Sequence, residues 1–265
     1  MPLEPSDLLP VQIVVMVQAI PESQAIDLRN LRKVFGNTVA VDDISLQIFR
    51  GEIFGFMGHN GAGKTTTIRM LLGLLAPTRG SASILGYDIV RESLPIRRLA
   101  GFLPDGYALP KEMTARRFLR YVGAMFGMTG GSLERQINRL LERFDLAAVG
   151  DKRLGEFSSG MIQKVGLAQA RINDPRVLLL DEPTAGLDPI GRHETLDLIR
   201  DLATNHGVTV LFSTHILTDI ERICQRVAIL HHGRLIANGA LAELKAKHRL
   251  ERTDDLYLSL VREVA

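Results

Sequence analysis

Residues 58–65 read GHNGAGKT and fit the pattern G-x-x-x-x-G-K-[ST], which holds phosphate groups. Glycines let backbone N–H groups curl around an anion, the lysine ammonium reaches the β- and γ-phosphates, and the hydroxyl that follows suits Mg²⁺. An apolar run, IFGFM, precedes the pattern and a helical run, TTTIRMLLGLL, follows it. We therefore predict a nucleotide-binding phosphate loop made by Gly58, His59, Asn60, Gly61, Ala62, Gly63, Lys64, Thr65 and Thr66.

Carboxylates end a second apolar run, RVLLLDEP. A buried strand would deliver Asp181 to its carboxyl end, where ligands bind in open α/β sheets. Carboxylate oxygens suit a hard cation, so Asp181 is predicted to hold Mg²⁺ through water, with Thr65 as a second metal ligand. Glu182 could accept a proton from an attacking water, although a helix cap or a solvated carboxylate is the alternative. His215 closes the next apolar run, VTVLFSTH, and this context favours a role at the γ-phosphate over a structural one.

A second candidate anion site lies in the stretch EFSSGMIQK, residues 156–164. Small residues and hydroxyls stand there in front of a predicted helix, Met161–Ile172, and helix N-termini attract anions. The first loop already accounts for the phosphates bound by this chain, so the second site lacks an evident ligand. The pair His231 and His232 falls at the predicted turn of a hairpin, and we interpret it as a turn rather than as metal ligands.

The segments between these motifs alternate strands with helices. Residues 25–52 alternate apolar and polar positions, with turn signals at 36–37 and 50–51, which indicates antiparallel strands. Helices are predicted over 65–75, over 114–146 with a break at 129–131, and over 191–203. The expected fold class is α/β, with a mostly parallel core sheet, an N-terminal antiparallel β subdomain, and a helical subdomain at about 105–155 inserted between the two candidate anion sites.

The composition fits a folded globular chain and argues against several classes. Of 265 residues, 46% are hydrophobic and 23% charged, and the net charge of +2 does not indicate a nucleic-acid partner. A single cysteine, Cys224, excludes an internal disulfide, and we expect it to be a small buried side chain. The apolar run Val11–Ile20 falls short of the ~20 residues that a membrane span needs. We expect residues 1–24 to be an extension, disordered or a short strand, on a soluble or peripheral protein.

In order and spacing, the motifs resemble those of the ATP-binding-cassette (ABC) ATPases. GHNGAGKT takes the place of the Walker A motif, VLLLDE of the Walker B motif, AGLD of the D-loop and STH of the switch-histidine segment. FSSGM stands where the family has its signature, usually LSGGQ. The resemblance runs from about residue 25 to about residue 239. It implies a P-loop NTPase core that binds ATP and Mg²⁺ and hydrolyses ATP, with Glu182 and His215 as catalytic residues.

The resemblance also implies what the second anion site is for. In ABC dimers the signature segment caps the γ-phosphate of the ATP bound to the other subunit. Ser158, Ser159 and Gly160 would therefore face the ATP of a partner, and Asp188 matches the D-loop aspartate. Ser159 replaces a glycine of the usual signature and Met161 a glutamine. Serine is small and Gly160 still permits close backbone approach, so capping is expected to persist.

Two further positions carry roles only through the resemblance. Phe35 matches the aromatic residue that stacks on adenine, with a core position on a strand face as the alternative. Asp105 stands where the family has a glutamine linked to Mg²⁺ and to the permease. Aspartate can ligate Mg²⁺ but is shorter and charged, so Asp105 is expected to be a metal ligand or to alter the coupling.

The segments LPDGYALPKEMTARRFLRYVGAMFG and FSSGMIQKVGLAQARI most resemble the ATPase subunits of exporters whose permease is a separate chain. We therefore expect a homodimer, or a heterodimer with another ABC ATPase subunit, docked on an integral membrane permease at the cytoplasmic face of the membrane, with no nucleic-acid partner. The ABC domain would cover 25–240 and a helical tail 241–265. A non-transport ABC protein is less favoured because the chain has one cassette and no long coiled coil. A poorly hydrolysing nucleotide switch is the other alternative.

Overall fold

The computed structural model describes residues 24–264, so the predicted extension and its run Val11–Ile20 lie outside the described residues except for Gln24. The strands are β1 (Gln24–Phe35), β2 (Thr38–Phe49), β3 (Ile53–Met57), β4 (Arg79–Ile84), β5 (Tyr87–Asp88), β6 (Ala100–Leu103), β7 (Val177–Asp181), β8 (Thr209–Thr214), β9 (Arg226–His231) and β10 (Arg234–Ala240). The helices are α1 (Lys64–Leu71), α2 (Ser93–Leu99), α3 (Ala115–Met125), α4 (Gly130–Arg143), α5 (Ser159–Ala170), α6 (Pro189–Thr204), α7 (Leu217–Ile223), α8 (Leu241–His248) and α9 (Thr253–Val264).

A small antiparallel sheet has the strand order β2-β1-β4-β5. The predicted turn joins β1 to β2, and Phe35 pairs with Thr38 across it. The sequence indicated only the β1–β2 part of this sheet. Gly80 lies in β4 with φ +83°, and a Cβ there would approach the carbonyl oxygen of Asn30 to 2.2 Å. Only glycine therefore lets β4 lie this close to β1.

The larger sheet has the order β10-β9-β3-β8-β7-β6. Five of its strands run parallel, and β10 returns antiparallel to β9 as a hairpin. The two sheets meet where β10 passes β2, and the N–H of Asp42 donates to the carbonyl of Gly233 at 2.7 Å. The predicted α/β class with a mostly parallel core sheet is confirmed.

The larger sheet separates two hydrophobic cores. Along β3, Phe54 and Phe56 face the core shared with the small sheet, whereas Ile53 and Met57 face the core shared with the helices. Parallel strands covered on both faces read as continuous apolar runs, which explains the run IFGFM. Cys224 lies at the end of α7 and is buried in the helical core, as expected, and this burial raises the pKa of its thiol.

The segment between the two anion sites holds α3 and α4, which pack on each other, and α3 also packs on α5. Thr114 caps α3 by accepting a hydrogen bond from the N–H of Arg117 at 3.2 Å. The break between the helices lies at 126–129, slightly before the predicted one, and Gly130 opens α4. The proposed limits of this helical subdomain, about 105–155, remain a prediction.

The C-terminal segment forms α8 and α9. Leu256 and Leu260 are buried in the helical core, while Leu258 points outward and is half exposed. The apolar face of α9 therefore packs on its own chain. Within residues 24–264, no helix is both long and apolar enough to cross a bilayer.

Candidate active site

The predicted phosphate loop connects β3 to α1 and depends on its glycines. Gly61 and Gly63 have φ of +84° and +101°, values that side chains disfavour. A Cβ at Gly63 would lie 2.6 Å from the carbonyl oxygen of Ala40, and one at Gly58 would lie 2.6 Å from that of Leu230. The loop is thus held tightly between β2 and β9, and it leads directly into the N-terminus of a helix, where backbone N–H groups attract phosphate.

Lys64 is the first residue of α1, which extends to Leu71 and is shorter than the predicted 65–75. Its side chain is only 5% exposed, and Nζ donates to the carbonyls of Gly58 at 2.7 Å and His59 at 3.2 Å. The same ammonium forms an ion pair with Oε1 of Glu182 at 3.1 Å. The loop cation and the carboxylate at the end of β7, far apart in sequence, therefore meet directly.

Asp181 ends β7 and is 1% exposed. Its Oδ1 accepts a hydrogen bond from Oγ of Ser213 on β8 at 2.5 Å. Its Oδ2 is buried and has no hydrogen-bond partner within the described part of the chain. A buried carboxylate oxygen without a partner is costly, and a hard cation or its bound water would satisfy it. The residues present therefore fit a magnesium ion.

Glu182 adopts a left-handed backbone conformation with φ +49° and is 8% exposed. Its N–H donates to the carbonyl of Ser213 at 3.1 Å, which fixes the residue against β8. Its Oε2 lies 2.8 Å from Nδ1 of His215 and accepts a longer bond, 3.3 Å, from the N–H of the same residue. A strained, buried carboxylate held by Lys64 on one oxygen and by His215 on the other is typical of a reactive site.

A cavity of about 520 Å³ opens in front of the phosphate loop. It brings Asp105 and Glu182, predicted from different parts of the chain, to the same space as the loop. The lining residues are Thr38, Val39, Ala40, Asn60, Gly61, Gly63, Lys64, Thr65, Thr66, Asp105, Glu182 and His232.

The stretch 156–164, the second candidate anion site, does not line the phosphate cavity. Ser158 is the N-cap of α5, and its Oγ accepts a hydrogen bond from the N–H of Met161 at 3.3 Å, so the helix begins two residues before the predicted start. Ser158, Ser159 and Gly160 line a second cavity of about 450 Å³ together with Asp188. Apart from the chain neighbours of Gly160 and the backbone of its own helix, no described atom lies within 4 Å of the place where a Cβ would be. The helix N-terminus is therefore open to an approaching ligand.

The order of these motifs along the chain matches a known family. A family profile for ABC transporters matches residues 41–185, which is more than half of the chain. The chain belongs to the ABC transporter family. The resemblance drawn from the motifs is confirmed, and the protein is an ATP-binding subunit of an ABC transporter and an ATPase.

Relatives of this ABC ATPase carry names linked to export and drug resistance. The Nod factor export ATP-binding protein I of Rhizobium sp. (strain N33) is 40% identical over 224 residues, 84% of this chain and 73% of that protein. The daunorubicin resistance ATP-binding protein DrrA3 of Streptomyces coeruleorubidus is 39% identical over 230 residues, 87% of this chain and 72% of that protein. A solved ATP-binding subunit of an ABC transporter superposes with a TM-score of 0.80 at 33% identity and covers 89% of this chain and 99% of that one.

Two residues predicted for this ABC ATPase lie at the margins of the site. Phe35 ends β1 next to the turn, with its ring 48% exposed and Nζ of Lys33 5.0 Å from the ring centroid. This exposure argues against the core alternative, although Phe35 does not line the phosphate cavity. Asp105 lines that cavity but is exposed, and no described hydrogen bond or ion pair fixes its carboxylate.

Sequence reasoning missed a contact that joins the Asp105 loop of this ABC ATPase to α5. The hydroxyl of Tyr107 donates to the carbonyl of Ile162 at 2.9 Å, and its burial raises the pKa of the phenol. The ring lies directly on Gly166, where a Cβ would come within 2.0 Å of the hydroxyl oxygen. A glycine inside a helix was the one available signal, because it usually marks close packing.

Proposed function

We propose that this protein is the ATP-hydrolysing subunit of a membrane exporter and acts by closing an ATP-bound dimer. The observation that carries the proposal is the connected set Lys64–Glu182–His215 at the end of the phosphate loop. It places a buried carboxylate within hydrogen-bond reach of a phosphate-binding cation on one side and of an imidazole on the other, which is what phosphoryl transfer to water needs.

In the proposed reaction the loop N–H groups and Lys64 hold the β- and γ-phosphates of ATP. Phosphate oxygens then replace Glu182 as the partner of the ammonium, so Oε1 becomes free to receive a proton from the attacking water. His215 keeps its contact with Oε2 and so fixes the direction of the carboxylate. Nδ1 donates to Oε2, and the second ring nitrogen can donate to a γ-phosphate oxygen when the ring carries its second proton.

Magnesium, when bound, neutralises the charge that develops between the β- and γ-phosphate oxygens. The hydroxyl of Thr65 and the carboxylate of Asp181 would hold it. The buried, unpartnered Oδ2 of Asp181 supports this assignment. Asp105 on the same cavity is a third candidate ligand, and its exposure favours contact through water.

The second cavity, at the N-terminus of α5, supports the proposal that two subunits close around ATP. Ser158, Ser159 and Gly160 line a space that shares no lining residue with the phosphate cavity in the described chain. Asp188 caps α6 beside them through Oδ1, which accepts from the N–H of Gly191 at 2.7 Å. A helix N-terminus with an open backbone fits the γ-phosphate of an ATP held by a second subunit.

An apolar groove of about 300 Å³ supports the proposal that a membrane permease binds this subunit. Phe102 and Pro104 line its core side, and Val122 and Phe126 line its helical side. Met125, which precedes Phe126 in the chain, is 72% exposed. We propose that a cytoplasmic helix of the permease docks here, close to the Asp105 loop, and that the subunit lies at the cytoplasmic face of the membrane. The names of the relatives support export as the direction.

The test is Glu182→Gln, which keeps the shape of the side chain but removes the proton acceptor. We expect ATP hydrolysis to fall at least ~100-fold, as for the loss of a general base, and ATP to convert monomers to dimers in size-exclusion chromatography with light scattering. Glu263→Gln, on the half-exposed face of α9, is the matched control and should behave like the wild type. A variant that stays monomeric with ATP would refute the dimer, and one that hydrolyses ATP at the wild-type rate would refute the role of Glu182.

A further inference from the structure

Three of the seven histidines converge beside the phosphate loop. His59 is the second residue of that loop, His231 ends β9, and His232 occupies the turn into β10. The ring centroids lie 5.0 Å apart between His59 and each of the other two, and 4.2 Å apart between His231 and His232. One ring nitrogen from each imidazole lies within 4.8 Å of those of the other two.

The backbone, rather than the side chains, brings these rings together. β3 and β9 are parallel neighbours, with Met57 opposite Ile229, so the residues two positions further on, His59 and His231, emerge side by side. The N–H of Gly233 donates to the carbonyl of Ala62 at 3.2 Å, which ties the hairpin turn to the loop. The cluster is therefore built into the sheet order.

Two buried nitrogens of the cluster have no hydrogen-bond partner among the described residues. Nδ1 of His59 lies 2.6 Å from the carbonyl oxygen of Asn60 and must carry the proton, which leaves the lone pair on Nε2. That Nε2, and likewise Nδ1 of His231, is buried and has no hydrogen-bond partner anywhere in residues 24–264. A histidine that donates one N–H to a backbone carbonyl and turns the other nitrogen inward has the arrangement found in metal-ligating imidazoles.

We propose that His59, His231 and His232 form a site for a divalent transition-metal ion of the Zn²⁺ type. Imidazole nitrogen suits Zn²⁺ and Co²⁺, whereas Mg²⁺ requires oxygen ligands, so this site is separate from the one proposed at Asp181. Zn–N bonds of about 2.0–2.1 Å place tetrahedral nitrogens about 3.3 Å apart, so the rings must approach by no more than about 1.5 Å. His232 is exposed at its turn and free to make that adjustment, and water completes the coordination. Because His59 belongs to the phosphate loop and His232 lines its cavity, the ion would sit at the edge of the ATP site.

The experiment is a Co²⁺ titration of the full, nucleotide-free chain without a polyhistidine tag, in excess Mg²⁺. We expect one equivalent per chain, a ligand-field absorption typical of tetrahedral nitrogen coordination, and displacement of Co²⁺ by Zn²⁺. His231→Gln removes one ligand and should weaken binding by about 100-fold, at least as much as the loss of an outer-shell partner. His232→Asn, which suits the left-handed backbone at φ +46°, should weaken it similarly. His206→Gln, at a histidine outside the cluster, should leave the titration unchanged.

The proposal is overturned if the wild type gives no such absorption, or if both His231→Gln and His232→Asn bind Co²⁺ like the wild type. ATP binding by His231→Gln shows that this variant is folded. If His231→Gln does not fold, the Co²⁺ titration of His232→Asn decides the question. The titration contains no nucleotide and measures no hydrolysis. Its outcome is thus independent of the roles proposed for Glu182 and for the dimer.

Discussion

Replacing Gly166 with alanine tests the contact that joins the Asp105 loop to α5. In an ordinary helix interior this change stabilises a protein by about 1 kcal/mol, because glycine is a poor helix former. Here the new Cβ would lie 2.0 Å from the hydroxyl oxygen of Tyr107, 2.5 Å from its Cζ and 2.7 Å from Cδ1 of Leu103. Contacts this short cannot exist, so the partly buried phenol must move by more than about 1 Å.

The magnitude follows from what that movement costs. Overpacking of a close contact costs about 2 kcal/mol, and loss of the bond from Tyr107 to the carbonyl of Ile162 costs about 1 kcal/mol. Against the helix-propensity gain of about 1 kcal/mol, Gly166→Ala should destabilise the protein by about 2 kcal/mol. For a chain of this size that corresponds to a fall in Tm of roughly 4–8 °C.

The assay is thermal unfolding followed by circular dichroism, and Gly160→Ala is the matched control on the same helix. Apart from its chain neighbours and the backbone of its own helix, no described atom lies within 4 Å of a Cβ at Gly160. The free energy of unfolding of Gly160→Ala should therefore differ from the wild type by no more than the ~0.5 kcal/mol of an ordinary surface substitution. The control should nevertheless hydrolyse ATP more slowly if the N-terminus of α5 approaches the ATP of a partner. In a Tyr107→Ala background, most of the cost of Gly166→Ala should disappear, since only the flexible end of Leu103 then stands in the way.

The reasoning is refuted if Gly166→Ala melts at or above the wild-type temperature. It is equally refuted if the effects of Gly166→Ala and Tyr107→Ala simply add. Additivity would mean that the two residues do not touch in solution.

Lys64→Ala removes the cation of the phosphate loop and should abolish ATP binding in isothermal titration calorimetry; unchanged affinity would contradict the assignment of the loop. Ser158→Arg should spare ATP binding to the monomer but stop hydrolysis, because a long cation blocks the second cavity, and a full hydrolysis rate would rule out capping in trans. Hydrogen bonds from Lys245 and then Thr253 lower the pKa of Glu221 from 4.5 to about 2, so its stabilising effect is complete above pH 4.5 and is lost as the pH falls towards 2. The free energy of unfolding of Glu221→Gln should accordingly depend less on pH over that window than that of the wild type. Urea unfolding midpoints measured between pH 2 and pH 4.5 check this, and the same pH dependence in both proteins would show that these hydrogen bonds contribute nothing.

The sequence predicts the fold class and the phosphate loop because local chemistry determines both. Gly63 must have a positive φ, and Lys64 must begin a helix, whatever the rest of the chain does. The meeting of Glu182 and His215 is also predictable, since each follows a buried parallel strand and such strands end at the same edge of a sheet. The contact between Tyr107 and Gly166 could not be predicted in this way, because it depends on how the Asp105 loop packs on α5. Its only signal in the sequence is a glycine inside a helix.

Strand order explains why the histidine cluster could not be inferred from its residues. His231 and His232 fit a hairpin turn, and nothing in their own segment indicates a third imidazole. His59 joins them only because β9 lies directly beside β3 with Met57 opposite Ile229. A shift of that register by one residue would turn the rings of His59 and His231 to opposite faces of the sheet. The same pairing places the carbonyl of Leu230 against Gly58, so the feature that shapes the phosphate loop is also the one that assembles the proposed metal site.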